Sequence, residues 1–185
     1  MTQQAELHAK QTTDRLGIAA EYPFDHNFVS TPMGQMHYID EGKGDPVLML
    51  HGNPTWSFLY RKFIPDIAKT HRVIAPDHIG FGLSEKPEEE RDYTLKAHID
   101  NLEALVLSLD LKNVTLVMQD WGGPIGLGVA ARHPDRIKAL VILNTFGFYP
   151  PIDGVDPDRL KLPPPLLLMR ASVIGDFIVR RLGFF

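Results

Sequence analysis

Apolar residues fall in two patterns that alternate along this chain. Short continuous runs, such as Pro46-Val47-Leu48-Met49-Leu50-His51 and Arg72-Val73-Ile74-Ala75-Pro76-Asp77, have the length expected of strands buried on both faces. Residues 113–119 and 137–143 repeat that pattern and predict two more buried strands. Between the runs the apolar period changes to 3.6. Trp56, Leu59, Tyr60, Phe63, Ile64 and Ile67 share one face of a predicted helix. Leu95, Ile99, Leu102, Leu105, Val106 and Leu109 share one face of another. A third helix is predicted over 121–132, ending before His133-Pro134 because a residue ahead of proline avoids the helical region. Residues 24–30 and the weakly alternating 35–40 predict strands joined by the turn Thr31-Pro32-Met33-Gly34. Glu41-Gly42-Lys43-Gly44-Asp45 predicts a hairpin-type turn, and residues 1–23 read as an arm. Strands alternating with helices imply an α/β fold with a mostly parallel sheet and right-handed crossovers.

The pattern changes at residue 148. Pro150, Pro151, Pro157, Pro163, Pro164 and Pro165 cluster there, and the apolar stretches lose their strand bounds. The chain therefore divides into 1–147, a sheet-bearing part, and 148–185, an excursion expected to be helical near 166–182.

Composition narrows the function classes. A hydrophobic share of 44 % over 185 residues supports one domain with a core. The net charge of −4 argues against nucleic acid or an anionic membrane as partner. Without cysteine there is no disulfide framework and no thiolate metal site. No run reaches transmembrane length and the start is unlike a secretory signal, so the expected location is cytoplasmic. Glu88-Glu89-Glu90 reads as a solvated face. No glycine-rich phosphate loop or metal-ligand cluster is present, so no cofactor or metal is implied.

The chemistry concentrates in Thr115-Leu116-Val117-Met118-Gln119-Asp120-Trp121-Gly122-Gly123-Pro124. A buried strand stops at a carboxylate, and a helix opens at once. Gly122 and Gly123 let that helix approach the sheet, and Pro124 suits its first turn. This is the layout of a nucleophile elbow, with Asp120 in place of the usual Ser. A helix N-terminus favours the carboxylate anion, and an ionised Asp is a poor general acid but a usable nucleophile. The plainer alternative is that Asp120 is an N-cap. Likewise, Trp121 fits a packing aromatic and Asn53 a turn residue before Pro54.

Three motifs occur in order: His51-Gly52-Asn53-Pro54, Asp77-His78-Ile79-Gly80-Phe81-Gly82-Leu83-Ser84 and Gln119-Asp120-Trp121-Gly122-Gly123. Together they resemble the α/β-hydrolase superfamily and, within it, the haloalkane dehalogenases, over roughly 24–150. The resemblance implies an α/β-hydrolase core followed by the beginning of a helical cap. It implies that Asp120 displaces halide from an sp³ carbon to give an alkyl-enzyme ester, which water then hydrolyses to an alcohol. The backbone N–H groups of Asn53 and Trp121 would form the oxyanion hole, where losing one donor slows such reactions by about 10²–10³. Their side-chain N–H groups would hold the departing halide. The implied partners are a small halogenated organic substrate, halide ion and water. His51 is implied to shape its loop, while Asp77 reads as a loop anchor and Asp100 as solvent-facing.

The same resemblance implies a water-activating His and an orienting acid. One subgroup carries the acid just after the strand that follows the elbow, where this chain has Asn144. With Asn53 as second halide donor, the chain is most similar to the third dehalogenase subfamily, whose acid and His would fall beyond Phe185. The expectation is a truncated chain, alkylated once at Asp120 and prone to associate through the apolar strand 137–143. Two other functions fit an Asp elbow: an epoxide hydrolase, and a non-catalytic ligand-binding member of the fold.

Overall fold

The structure, a computed structural model, describes residues 2–89 and 93–147. The cap expected over 148–185 lies outside the described residues. Six strands form one sheet: β1 (Asn27–Thr31), β2 (Gly34–Gly42), β3 (Pro46–Leu50), β4 (Arg72–Pro76), β5 (Val114–Asp120) and β6 (Ile137–Thr145), in the spatial order β1-β2-β4-β3-β5-β6. The first two pairings are antiparallel, and the β4/β3, β3/β5 and β5/β6 pairings are parallel. Around them lie α1 (Thr2–Arg15), a 3-10 turn at Ser57–Tyr60, α2 (Ile64–Ile67), α3 (Leu95–Ser108) and α4 (Gly122–Arg132).

Strand alternation sorts the core into two layers. From β3, Leu48 and Leu50 enter one layer with Ile74, Leu102, Leu105, Leu116, Met118, Ile125 and Val129. Val47 and Met49 point the other way, toward Tyr22, Ile39, Tyr60, Ile64, Val73 and Ala75. A strand with apolar residues on both faces belongs in the middle of the sheet, and β3 is there. Thr94 starts α3 by accepting the Ala97 N–H on its hydroxyl at 3.1 Å, an N-cap that frees Leu102 and Leu105 to face the sheet. The chain leaves β3 toward β4 on one side, returns through α3, and leaves β5 toward β6 on the other. The C-terminal ends of β3 and β5 are therefore neighbours whose onward loops diverge. That is where an open α/β sheet leaves a crevice.

Four local expectations are corrected. The arm over 1–23 contains a helix, α1, whose Ala9 and Thr13 are buried. Its buried stripe is too narrow to show a period, although Ala, Gln, Glu and Lys favour helix. The single helix expected from Trp56 to Ile67 is instead a 3-10 turn and the short α2. Pro65 explains the break: within one helix it could not donate to the Arg61 carbonyl, and its ring would clash there. Tyr60 and Ile64 still face the core, but Phe63 is 60 % exposed. The turn 41–45 is not a hairpin. β2 pairs with β1 and β4, so the turn joins strands that are not neighbours, helped by left-handed Gly42 and Gly44. Finally, β6 is not buried. It pairs with β5 along one edge, and Leu140, Val141, Ile142 and Leu143 are all exposed. Among the described residues, no helix is long and apolar enough to cross a membrane.

Helix α4 lies against the sheet because it begins with glycine. A Cβ on Gly122 would collide with the backbone carbonyl of Leu50 in β3, which has nowhere to go. A Cβ on Gly126 would meet only the ends of the Leu50 and Met118 side chains. Gly122→Ala should therefore destabilise the complete protein by about 1–3 kcal/mol, the usual range for overpacking. Gly126→Ala should cost clearly less, and urea unfolding of the two variants measures the difference.

Candidate active site

Asp120 ends β5 with φ +51°, a left-handed conformation that Asp tolerates better than most residues. The register with β6 shifts at this point, so that Asp120 stands opposite Thr145. The Thr145 hydroxyl donates to the Asp120 carbonyl and pins the turn. Trp121, not Asp120, occupies the N-cap position of α4, and no side chain caps that helix. The Asp120 carboxylate turns instead toward the end of β3, where its Oδ1 accepts the Asn53 backbone N–H at 2.9 Å. The N-cap alternative is thus set aside by the direction of the side chain.

Gly52 makes this meeting possible. A Cβ there would overlap the Asp120 Cβ and Oδ1. Asn53 is exposed, and Trp121 is 39 % exposed with its ring edge-on to Phe146 at 5.6 Å. Among the described residues, neither the Asn53 amide nor the Trp121 indole N–H has a hydrogen-bond partner. The loops after β3 and β5 thus gather a half-buried carboxylate, a backbone N–H bonded to it, and two open side-chain donors.

His51 is fully buried. Its Nε2 accepts the His78 backbone N–H at 2.9 Å, which leaves the ring proton on Nδ1, facing the Gly52 carbonyl at 2.9 Å. Burial pushes the ring below the usual histidine range, against the pull of Asp77, so it is neutral near pH 7. Both nitrogens being engaged, His51 has none to offer as a base. Among the described residues no histidine hydrogen-bonds to Asp120.

Asp77 is the anchor its position suggests. Fully buried, it accepts the Ser57 N–H at 2.8 Å, the Leu83 N–H at 2.8 Å and His37 Nδ1–H at 2.9 Å. Burial works against its charge, but His37, His51 and the Leu83 N–H outweigh it and pull the carboxyl down to about 2. This ties the end of β4 to the 3-10 turn, to β2 and to the loop reaching Ser84. His37 was not singled out from the sequence. Its inward parity with Ile39 and Asp77's need for a donor were the available signals, and neither named the other. Although His37 and Asp77 form a His–Asp pair, both side chains are sealed from solvent, and His37 Nε2 is bonded to His26 Nδ1 at 2.9 Å. The pair is structural. Asp100, read as solvent-facing, is partly exposed and paired with Lys96 and Arg132 on the surface. Asn144 lies exposed near the end of β6 with φ +41°. No group of His, Asp or Glu among the described residues is arranged to hold a metal ion.

Comparison with known proteins places this geometry. A relative from Shewanella oneidensis, a cis-3-alkyl-4-alkyloxetan-2-one decarboxylase, is 51 % identical over 88 % of this chain and 50 % of its own. A haloalkane dehalogenase from Mycobacterium marinum is 48 % identical over 76 % of this chain and 50 % of its own. Among solved structures, a tetrameric haloalkane dehalogenase from Paraglaciecola agarilytica superposes with a TM-score of 0.67 at 44 % identity, covering 72 % of this chain and 47 % of that one. The chain spans about half the length of the curated relatives it matches. The family model for the alpha/beta hydrolase fold matches residues 45–170, from the turn before β3 through the elbow and beyond β6. With the left-handed Asp120 between β5 and α4, this match establishes that the chain belongs to the α/β-hydrolase fold family.

Proposed function

We propose that this chain carries the nucleophile half of a haloalkane dehalogenase-type hydrolase. The observation that carries the reading is the Asp120 carboxylate, turned away from α4 and held by the Asn53 N–H. That bond distinguishes the two oxygens. Oδ1 is occupied, so Oδ2 attacks the sp³ carbon in line, the carbon–halogen bond breaks, and the halide departs with the electron pair. Trp121 and Asn53 side-chain N–H groups receive it. In the resulting ester Oδ1 is the carbonyl oxygen. Water then adds at Asp120 Cγ, passing one proton to the general base that the resemblance implies; Oδ1 takes the negative charge already facing Asn53 N–H, and collapse regenerates the carboxylate as the departing oxygen takes the water's second proton and leaves as the alcohol. The Trp121 backbone N–H is the second donor in this reading.

Halide binding tests the arrangement directly. Bromide added to the complete protein should quench Trp121 fluorescence, and Trp121→Phe should abolish the saturable part of the quenching while leaving the fold intact. Equal saturable quenching in both proteins would end the reading.

A second reading is favoured by one finding. The relative named as an oxetanone decarboxylase matches a larger share of this chain than the Mycobacterium marinum dehalogenase does, 88 % against 76 %. The same Asp120 could open a β-lactone at its ring C4, breaking the ring C–O bond and freeing a carboxylate. Loss of CO₂ from C3 then forms the C3=C4 double bond as the C4–Asp120 bond breaks. No water and no histidine base is consumed. Reaction in H₂¹⁸O separates the two, because dehalogenation leaves label in Asp120 and decarboxylation does not.

A further inference from the structure

The peptide between Gly52 and Asn53 is held from both sides. Its N–H donates to Asp120 Oδ1 at 2.9 Å. Its carbonyl points the opposite way, as in any trans peptide. There it accepts His51 Nδ1–H at 2.9 Å, the Thr55 backbone N–H at 3.0 Å and the Thr55 hydroxyl at 3.0 Å. With two lone pairs on that oxygen, three donors more than saturate it. His51 is in turn fixed by the His78 N–H, with the two rings 4.5 Å apart. A peptide preceded by glycine turns easily, since no Cβ resists the rotation. The carbonyl bonds remove that freedom. They also polarise the amide, and linked hydrogen bonds strengthen one another by roughly 10–30 % each.

We infer that Thr55 and His51 are positioning residues that lock the Gly52–Asn53 peptide, so that the Asn53 N–H is aimed at Asp120 Oδ1 before any substrate binds. The inference rests on the proposed role of that N–H in ester hydrolysis. A donor aimed in advance needs no reorganisation when charge develops. The two steps should feel the lock differently. In ester formation, charge leaves the carboxylate; in ester hydrolysis, charge gathers on Oδ1. Loosening the lock should therefore burden the second step more, and the ester should accumulate.

Thr55→Val removes the hydroxyl and keeps the shape; Thr55→Ser keeps the hydroxyl. In the complete protein, amide exchange at Asn53 should quicken about tenfold in Thr55→Val and return toward wild type in Thr55→Ser. With 1-bromohexane under rapid quench, intact-protein mass spectrometry should show ester hydrolysis slowed about tenfold in Thr55→Val, with ester formation changed less than about threefold. Asn53 exchange in Thr55→Val identical to wild type overturns the inference, as does unchanged ester hydrolysis. A wild type that forms no ester at all counts against the dehalogenase reading instead, and the exchange comparison then decides the lock by itself.

Discussion

Replacing Asp120 with alanine should stop the proposed dehalogenation. Removal of a nucleophile costs about 10⁴-fold or more in rate when no neighbouring group can substitute, and among the described residues no other carboxylate is hydrogen-bonded at this turn. Bromide release by the complete Asp120→Ala protein should fall to background, with no alkyl adduct by mass spectrometry. Asp120→Asn is the more informative variant. It keeps the volume and the acceptor facing Asn53 N–H but lacks the anionic oxygen. Any activity it shows should grow with storage as deamidation restores the carboxylate. Full bromide release from Asp120→Ala would place the chemistry elsewhere in the molecule.

The second large effect concerns stability and its pH dependence. Asp77→Asn should destabilise the complete protein by about 2–4 kcal/mol, because buried hydrogen bonds to a charged acceptor contribute about 1.5–3 kcal/mol each and Asn keeps one acceptor oxygen. Three donors lose their shared carboxylate: Ser57 N–H, Leu83 N–H and His37 Nδ1–H. Part of that loss is linked to protons. Asp77 titrates at about 2 in the folded protein and near its ordinary value of 3.8 when unfolded. Its folded pKa is depressed, so this contribution is fully present above about pH 4 and is lost as pH falls toward 2, amounting to about 2 kcal/mol. Other carboxylates titrate equally in wild type and variant. Urea unfolding of both at pH 7, 4 and 3 should therefore show a stability gap that narrows only below pH 4. A gap that stays constant into acid would mean Asp77 acts through shape and not charge.

Much of the architecture could be read from residue patterns because the sheet demands it. A strand buried on both faces has no polar position to spare, and β3 and β4 show that plainly. The elbow was legible for a related reason: a strand-forming run that stops at Asp120, with two glycines close behind, marks a sharp strand-to-helix turn, although the N-cap alternative fell only to the direction of the side chain. What escaped depended on partners distant in sequence. Pro65 broke a helix whose apolar spacing looked continuous. β2 found its neighbour in β4, about thirty residues on, where a local turn suggested a hairpin. In β6 the apolar run by itself predicted burial, but among the described residues the strand pairs with β5 alone and its apolar side chains are exposed, as the expected association through 137–143 requires. Thr55 drew no attention because its hydroxyl acts on a backbone carbonyl three residues earlier, a bond with no residue-level signature.

The left-handed backbone at Asp120 sets the needs of folding against those of reactivity. Glycine adopts that conformation at no steric cost, so a glycine codon at this position should give a sturdier but inert protein. Where the activity ceased to matter to the organism, drift would be expected to erase this residue early, while the buried anchor at Asp77 persisted. A library screened once for thermal survival and once for turnover should disagree most sharply at this position.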